Sequence, residues 1–318
     1  MFAARDSGDH KGGKQITALA GLAIGAILVA FRALPVAAQA PRLVSLYATV
    51  ERDGGLVRGL GPQNFHLYED GDSRPFRLEQ PETPMVIALL VEYSQRSYPY
   101  FNDIQTAVES FVKQAPEGNW YALATFSHNL EVQVDFTKQV MQLSNAFAQL
   151  GEPMWNEVDT YDAVYEMLDK MERLPGRRVL IVIASGLDSF SSHTLDDVQK
   201  KIDAVNVVIY GVGAGSMLRG LYEPYLGAMQ EMSLLQAQTF LQMLADKSGG
   251  EAWFPKLEGA FPDVIKGIFQ DLENQYRLVY ESRAAADHKL HKIKLEAFQI
   301  VNDKRQNFKV RVREGWRF

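Results

Sequence analysis

Three strand-length apolar runs constrain this chain most: "MVIALLV" (85–91), "VLIVIA" (179–184) and "VVIYGVG" (207–213). A strand with apolar residues on both faces belongs in the interior of a sheet covered on both sides. Segments of helical length and period separate the runs: "YFNDIQTAVESFVKQ", "DTYDAVYEMLDKM", "TLDDVQKKIDA", "AQTFLQMLADKSGG" and "AFPDVIKGIFQDLENQ". This alternation predicts an α/β fold with a Rossmann-like, doubly wound, mostly parallel sheet. "EVQVDF" (131–136) follows "WYALATFS" (120–127) too closely for a crossover helix, so it is expected as an antiparallel edge strand. Phe101, Ile104, Val108, Phe111 and Val112 form a helical stripe, read as a core face. Thr194 with Asp197 three residues on resembles a capping box.

The flanks read differently. "RLVSLYATVE" (42–51) alternates polar and apolar residues, and "NFHLYEDG" ends on Asp70-Gly71, a tight-turn pair. β patterns return in "YRLVYES", "HKIKLEAF" and "FKVRVREGWRF". In the last, Phe308, Val310 and Val312 share one face, with Lys309, Arg311 and Arg313 on the other. The expected organisation is a β segment at 42–82, an α/β domain at 84–275 and a β segment at 276–318. The two β segments are expected to pack together as a small β-sandwich, with the α/β domain inserted between them. The stretch 216–236 has no clean period and is read as an excursion before a helix at 237–247. Met217, Leu218, Leu221, Tyr222, Tyr225, Met229 and Met232 lie in it, as a partner surface or as packing on the domain itself.

Residues 1–40 read as an export signal. Lys11 and Lys14 precede sixteen uncharged residues, "ITALAGLAIGAILVAF", short for a spanning helix and suited to a signal core. Small residues allow cleavage after Ala38 or after Ala40; Pro41 disfavours the second, and an uncleaved anchor is the alternative. The expected location is periplasmic, cell-surface or secreted. A net charge of −6 argues against a nucleic-acid partner. The absence of cysteine excludes disulfides, thiolate metal sites and a cysteine nucleophile. No serine sits in a Gly-x-Ser-x-Gly elbow, "GVGAGS" (211–216) lacks the third glycine of a dinucleotide fingerprint, and the histidines do not cluster. His288 and His291 are read as exposed. No enzyme is expected.

"MVIALLVEYSQRS", "TYDAVYEML", "RVLIVIASGLDSFSS" and "NVVIYGVG", in that order, resemble the von Willebrand factor type A domain. With flanks such as "GLGPQNFHLYEDGDSRPF" and "QYRLVYES", the chain over 42–318 is similar to the exported VWFA-related proteins of acidobacteria. The resemblance implies a protein-binding or adhesion module with a divalent cation at the carboxyl edge of the sheet, held by Asp-x-Ser-x-Ser, a Thr and a further Asp. On this chain those positions are Glu92, Ser94, Arg96, Val158 (with Thr160 nearby but out of register) and Ser185. Asp162 is expected to favour the dipole of its helix, and Asp188 to line the same face as Glu92.

A unit charge about 4 Å from a cation contributes roughly 4 kcal/mol at an effective dielectric of 20, so Arg96 in a ligand position turns attraction into repulsion of similar size. Three readings stay open. Glu92 and Ser94 hold Mg²⁺ or another divalent cation. Arg96 serves as a built-in cation, pairing with Glu92 in the free protein and with a partner's carboxylate when bound. Or the loop is solvated, with an ordinary Glu92–Arg96 ion pair of about 0–1 kcal/mol. The expectation is a degenerate metal site, no resident cofactor and a protein partner recognised through an acidic side chain. A scaffold role in an envelope or secretion assembly is the alternative.

Overall fold

The computed structural model describes residues 42–216, 227–257 and 259–318. The chain opens with antiparallel strands β1 (Arg42–Arg52), β2 (Gly55–Leu56), β3 (Phe65–Glu69), β4 (Asp72–Ser73) and β5 (Phe76–Glu79). Then β6 (Met85–Glu92), α1 (Phe101–Gln114), β7 (Trp120–Phe126), β8 (Leu130–Thr137), α2 (Met141–Ala148), α3 (Thr160–Glu172) and β9 (Arg177–Ala184) follow. After them come α4 (Leu195–Ala204), β10 (Val207–Gly213), α5 (Ala228–Ser248), β11 (Ala252–Trp253) and α6 (Phe261–Asn274). The tail returns to β12 (Tyr276–Ser282), β13 (Leu290–Val301), β14 (Lys304–Asn307), β15 (Lys309–Val312) and β16 (Gly315–Arg317).

The central sheet runs β11-β10-β9-β6-β7-β8. Every pair in it is parallel except β7–β8, which is the expected antiparallel edge. Numbered within the sheet, this is the doubly wound order 3-2-1-4-5-6, whose direction reverses between β6 and β9. Side-chain alternation splits β6 between two cores. Met85, Ile87, Leu89 and Val91 join α1, α2 and α6 on one face. Ala88 and Leu90 join α3, α4 and α5 on the other. Apolar strand interiors are the direct result: both faces are dry, and the charged residues Glu92, Arg177 and Arg178 lie at the ends of β6 and β9.

The stripe on α1 packs inward as expected, with Phe101 at the margin. The Thr194–Asp197 capping box forms, Thr194 Oγ1 accepting from the Asp197 N–H at 3.2 Å. One expectation fails. The helix read at 237–247 begins at Ala228. Its early turns are apolar on both sides, so the sequence carries no periodic signal there. Met229 and Met232 are exposed; Met217, Leu218, Leu221, Tyr222 and Tyr225 lie outside the described residues.

The flanking strands form two antiparallel sheets, β15-β1-β12-β5 and β14-β13-β3-β4, with β2 on β1 and β16 on β13. Early and late strands pair directly, as in β1 with β12 and β3 with β13. Val44, Leu46, Ala48 and Val50 of one sheet share an apolar cluster with Phe65, Leu67, Ile293 and Leu295 of the other. Two arginines from the alternating segment turn toward the α/β body. Arg311 reaches Glu51 at 2.6 Å and Asp271 at 2.9 Å. Arg313 is buried and donates to the carbonyl oxygens of Ile202, Asp203 and Val205, at the C-terminal end of α4, and to Gly315. Its guanidinium lies 3.3 Å from the Trp316 ring centroid. These are favourable placements for a cation, since helix-end carbonyls carry partial negative charge and aromatic faces attract cations. Among the described residues no helix is long and apolar enough to cross a membrane.

Candidate functional site at the carboxyl edge of the sheet

In a doubly wound sheet the loops that leave β6 and β9 diverge and open a crevice beyond the strand ends, where such folds place their ligands. Glu92 ends β6 and Ser185 follows β9, so both lie at this switch point. Glu92 is fully buried. Its Oε2 accepts from the Ser185 backbone N–H and from Ser185 Oγ, both at 2.7 Å. Its Oε1 accepts from the Tyr100 hydroxyl at 2.8 Å and from Ser94 Oγ at 3.4 Å. An ionised carboxylate offers about four lone-pair positions, and four donors take them.

Local structure holds these donors in place. Ser94 and Ser97 exchange hydrogen bonds and start a 3-10 turn, Gln95–Tyr100, which carries Tyr100 back over Glu92. Burial first, and then the Glu92 charge, push the Tyr100 hydroxyl well above its ordinary pKa, so it stays a donor. Gly186 has φ +81° and a Cβ there would lie 2.3 Å from the Ala237 carbonyl oxygen. Only glycine allows that approach of the β9 loop to α5.

The rest of the β9 loop is tied to the start of α3. Asp188 Oδ1 accepts from the Tyr161 N–H at 3.0 Å and from Ser191 Oγ at 2.6 Å. Asp162 accepts from the backbone N–H groups of Ser192 and His193, and sits 2.7 Å from His193 Nδ1. Burial opposes ionisation of Asp162, but the Ser192 and His193 donors outweigh it and lower its pKa. Asp159, also buried, takes the Phe190 N–H and lies 2.8 Å from His128 Nδ1. Thr160 is buried and its hydroxyl donates to the Leu187 carbonyl. Val158, in the position where the resemblance expects Thr, is buried and exchanges hydrogen bonds with Ser189.

Of the expected site residues, the structure brings Glu92, Ser94 and Ser185 together. It does not bring Arg96 to Glu92: Arg96 is exposed, and among the described residues it makes no hydrogen bond or ion pair. The reason is burial. A carboxylate that already has four donors inside the protein gains nothing by drawing a solvated guanidinium inward. Asp188 joins the β9 loop to α3. Asp162 is in the first turn of its helix, as expected, and also clamps the loop. Tyr100, Asp159 and His128 carried no sequence signal beyond their types, since their roles depend on contacts 8 and 31 residues away.

The Glu92 carboxylate has four donors within the protein, and the side chain that meets it across the switch point is a serine, Ser185. Among the described residues no three His, Cys, Asp or Glu side chains are grouped to hold a metal. The loops at this edge expose three aromatic side chains. Tyr98 is 67% exposed, Trp155 49% and Phe190 76%. The Gln95 N–H donates to the Trp155 carbonyl at 2.8 Å, which joins two of these loops.

The chain is a doubly wound α/β protein, the fold class that the von Willebrand factor A resemblance implied, and the Glu92 hydrogen-bond network lies at its switch point. No family model and no curated protein matches the chain. Among solved structures it is similar to an aerotolerance-related membrane protein from Bacteroides fragilis (12% identity, 59% of this chain and 98% of that one, TM-score 0.45). It is also similar to BatB from Bacteroides thetaiotaomicron (10% identity, 58% and 97%, TM-score 0.42). The vWF domain of the type V pili tip protein Mfa5 from Porphyromonas gingivalis matches over 33% of this chain and 38% of that one, at 20% identity and TM-score 0.28. At these scores the likenesses carry no function across.

Proposed function

We propose that the protein is an exported protein-binding or adhesion module that engages its partner at the carboxyl edge of the sheet without a metal ion. One observation supports this reading: Glu92 is buried with four donors, while Arg96, Tyr98, Trp155 and Phe190, on the β6–α1, α2–α3 and β9–α4 connections, are exposed. Tyr, Trp and Arg dominate protein-interface hot spots. A rigid backbone beneath such side chains lowers the ordering cost of binding. The Arg96 fork, which has no hydrogen-bond or ion-pair partner among the described residues, suits a partner carboxylate as a polar anchor beside aromatic contacts. Export is supported by the charge and hydropathy pattern of residues 1–40. We read the two antiparallel sheets as one small β-sandwich that presents the α/β body. The site is a degenerate relative of a metal-ion-dependent one, with no cofactor. Catalysis has little support, because the hydrogen-bond positions of the Glu92 carboxylate are taken up by donors of the protein itself.

A phage-displayed random peptide library panned on the protein in EDTA tests the reading. The selected peptides should contain Asp or Glu beside apolar residues. Their affinity should fall about tenfold or more on Arg96→Ala, in keeping with about 1.5–3 kcal/mol for a charged hydrogen bond. Phe190→Ala and Trp155→Ala should weaken the same peptides. Peptides that bind all three variants as well as the parent would move the contact surface elsewhere, the antiparallel sheets included, and sink the proposal.

A further inference from the structure

A second buried constellation lies in the antiparallel sheets. His291 of β13 is 9% exposed. Its Nδ1 is 2.7 Å from Asp70 Oδ2, in the turn between β3 and β4. Its Nε2 is 3.0 Å from the Ala285 carbonyl oxygen and 3.2 Å from Asp287 Oδ1, both in the loop between β12 and β13. All of these oxygens are acceptors. A neutral imidazole has one N–H and must turn a lone pair toward an acceptor on one side. Only the imidazolium donates in both directions. The expectation that His291 is exposed is therefore corrected: its polar neighbours in sequence fold over it instead of leaving it in water.

The partners are themselves fixed. Asp70 Oδ1 accepts from the Lys292 N–H at 2.8 Å, and Asp287 Oδ1 from the Lys289 N–H at 3.0 Å. Phe318 stacks on His291 at 6.1 Å and on Trp316 at 6.3 Å. The Trp316 ring carries the Arg313 guanidinium, which caps α4. Other charged groups adjoin the cluster: Lys289 Nζ is 3.4 Å from Asp287 and so shares that carboxylate with His291, Arg42 lies over the Phe318 ring, and Arg317 bonds the His288 carbonyl and reaches Asp203.

We propose that His291 is a proton-operated clasp: its imidazolium ties the β3–β4 turn and the β12–β13 loop over β16, and loss of one proton loosens β16 and the Arg313 cap on α4. Burial alone would push the imidazole down. Asp70 first, then the Ala285 carbonyl and Asp287, reverse this and raise its pKa above the ordinary 6.5. The sign follows from linkage. A raised folded pKa contributes stability that is fully present below the unfolded value and is lost as pH rises through the folded one.

The test is an NMR titration of His291 in the full chain between pH 5 and 9. Amide exchange at 315–317 and at Val205 is followed over the same range and corrected for the intrinsic pH dependence of exchange. His291 should titrate above 6.5, and corrected exchange at these amides should accelerate as it loses its proton. Asp70→Asn and His291→Gln should each abolish the pH-dependent part of that acceleration. A His291 midpoint at or below 6.5 overturns the proposal, and needs no variant to fold. So does an acceleration that persists unchanged in both variants.

Discussion

Replacing Glu92 with Ala is expected to lower the unfolding free energy by about 3–5 kcal/mol, one of the two largest effects of any single change considered for this chain. The carboxylate is the common acceptor for the Ser185 N–H, Ser185 Oγ, Tyr100 hydroxyl and Ser94 Oγ. Its removal leaves those donors facing a cavity with no partner, and each buried unsatisfied group costs about 1–3 kcal/mol. Relaxation and water entry recover part of that. Glu92→Gln separates charge from shape. The amide keeps the volume but turns an NH₂ toward two of the donors, so it should cost about half as much. Urea unfolding of the parent and both variants measures this. A loss under about 1 kcal/mol for Glu92→Ala would show that the network does not hold the edge together.

Arg313→Ala should cost about 4 kcal/mol by the same measurement. The guanidinium satisfies three carbonyls at the end of α4 and one in β16, and it covers the Trp316 face. Desolvated cation–π contacts contribute up to about 2 kcal/mol, and charged hydrogen bonds about 1.5–3 kcal/mol each before non-additivity. Burial pushes the Arg313 pKa down to about 9, which leaves the group charged at neutral pH. Arg313→Lys should recover less than half of the loss, because a single ammonium cannot reach four oxygens spread around a planar fork. Equal stability of the Lys variant and the parent would contradict a role for the planar fork that reaches four carbonyls.

Much of this architecture is legible in the sequence, for a physical reason. Period and polarity are local, so "MVIALLV" and "VLIVIA" announce a sheet with two dry faces, and "EVQVDF" announces an edge. The strand pairing of the flanks follows from economy: alternating segments at both ends need partners. Contacts made by single residues across long separations are not legible. Arg311 and Arg313 alternate with valines as solvent-facing residues would, yet their side of β15 meets Asp271 and α4. His291 sits among polar residues and is still buried. Arg96 is close to Glu92 in sequence, and Tyr100, eight residues on, takes the contact instead. An extra methylene carries the Glu92 carboxylate to the Ser185 amide across the switch point, a reach that a spacing rule does not reveal.

The most direct measurement for the proposal that the edge works without a metal is thermal unfolding of the protein in EDTA and then in millimolar Mg²⁺, Ca²⁺ or Mn²⁺. A ligand at a hundred times its dissociation constant contributes about 2.7 kcal/mol, which is several degrees in a protein of this size. Glu92 already has its donors, so the transition should stay where it is in every ion. A rise of several degrees in any of the three cations, reversed by EDTA and absent in Glu92→Gln, would mean that the buried carboxylate exchanges its hydrogen bonds for a metal. The edge would then be a cation site after all.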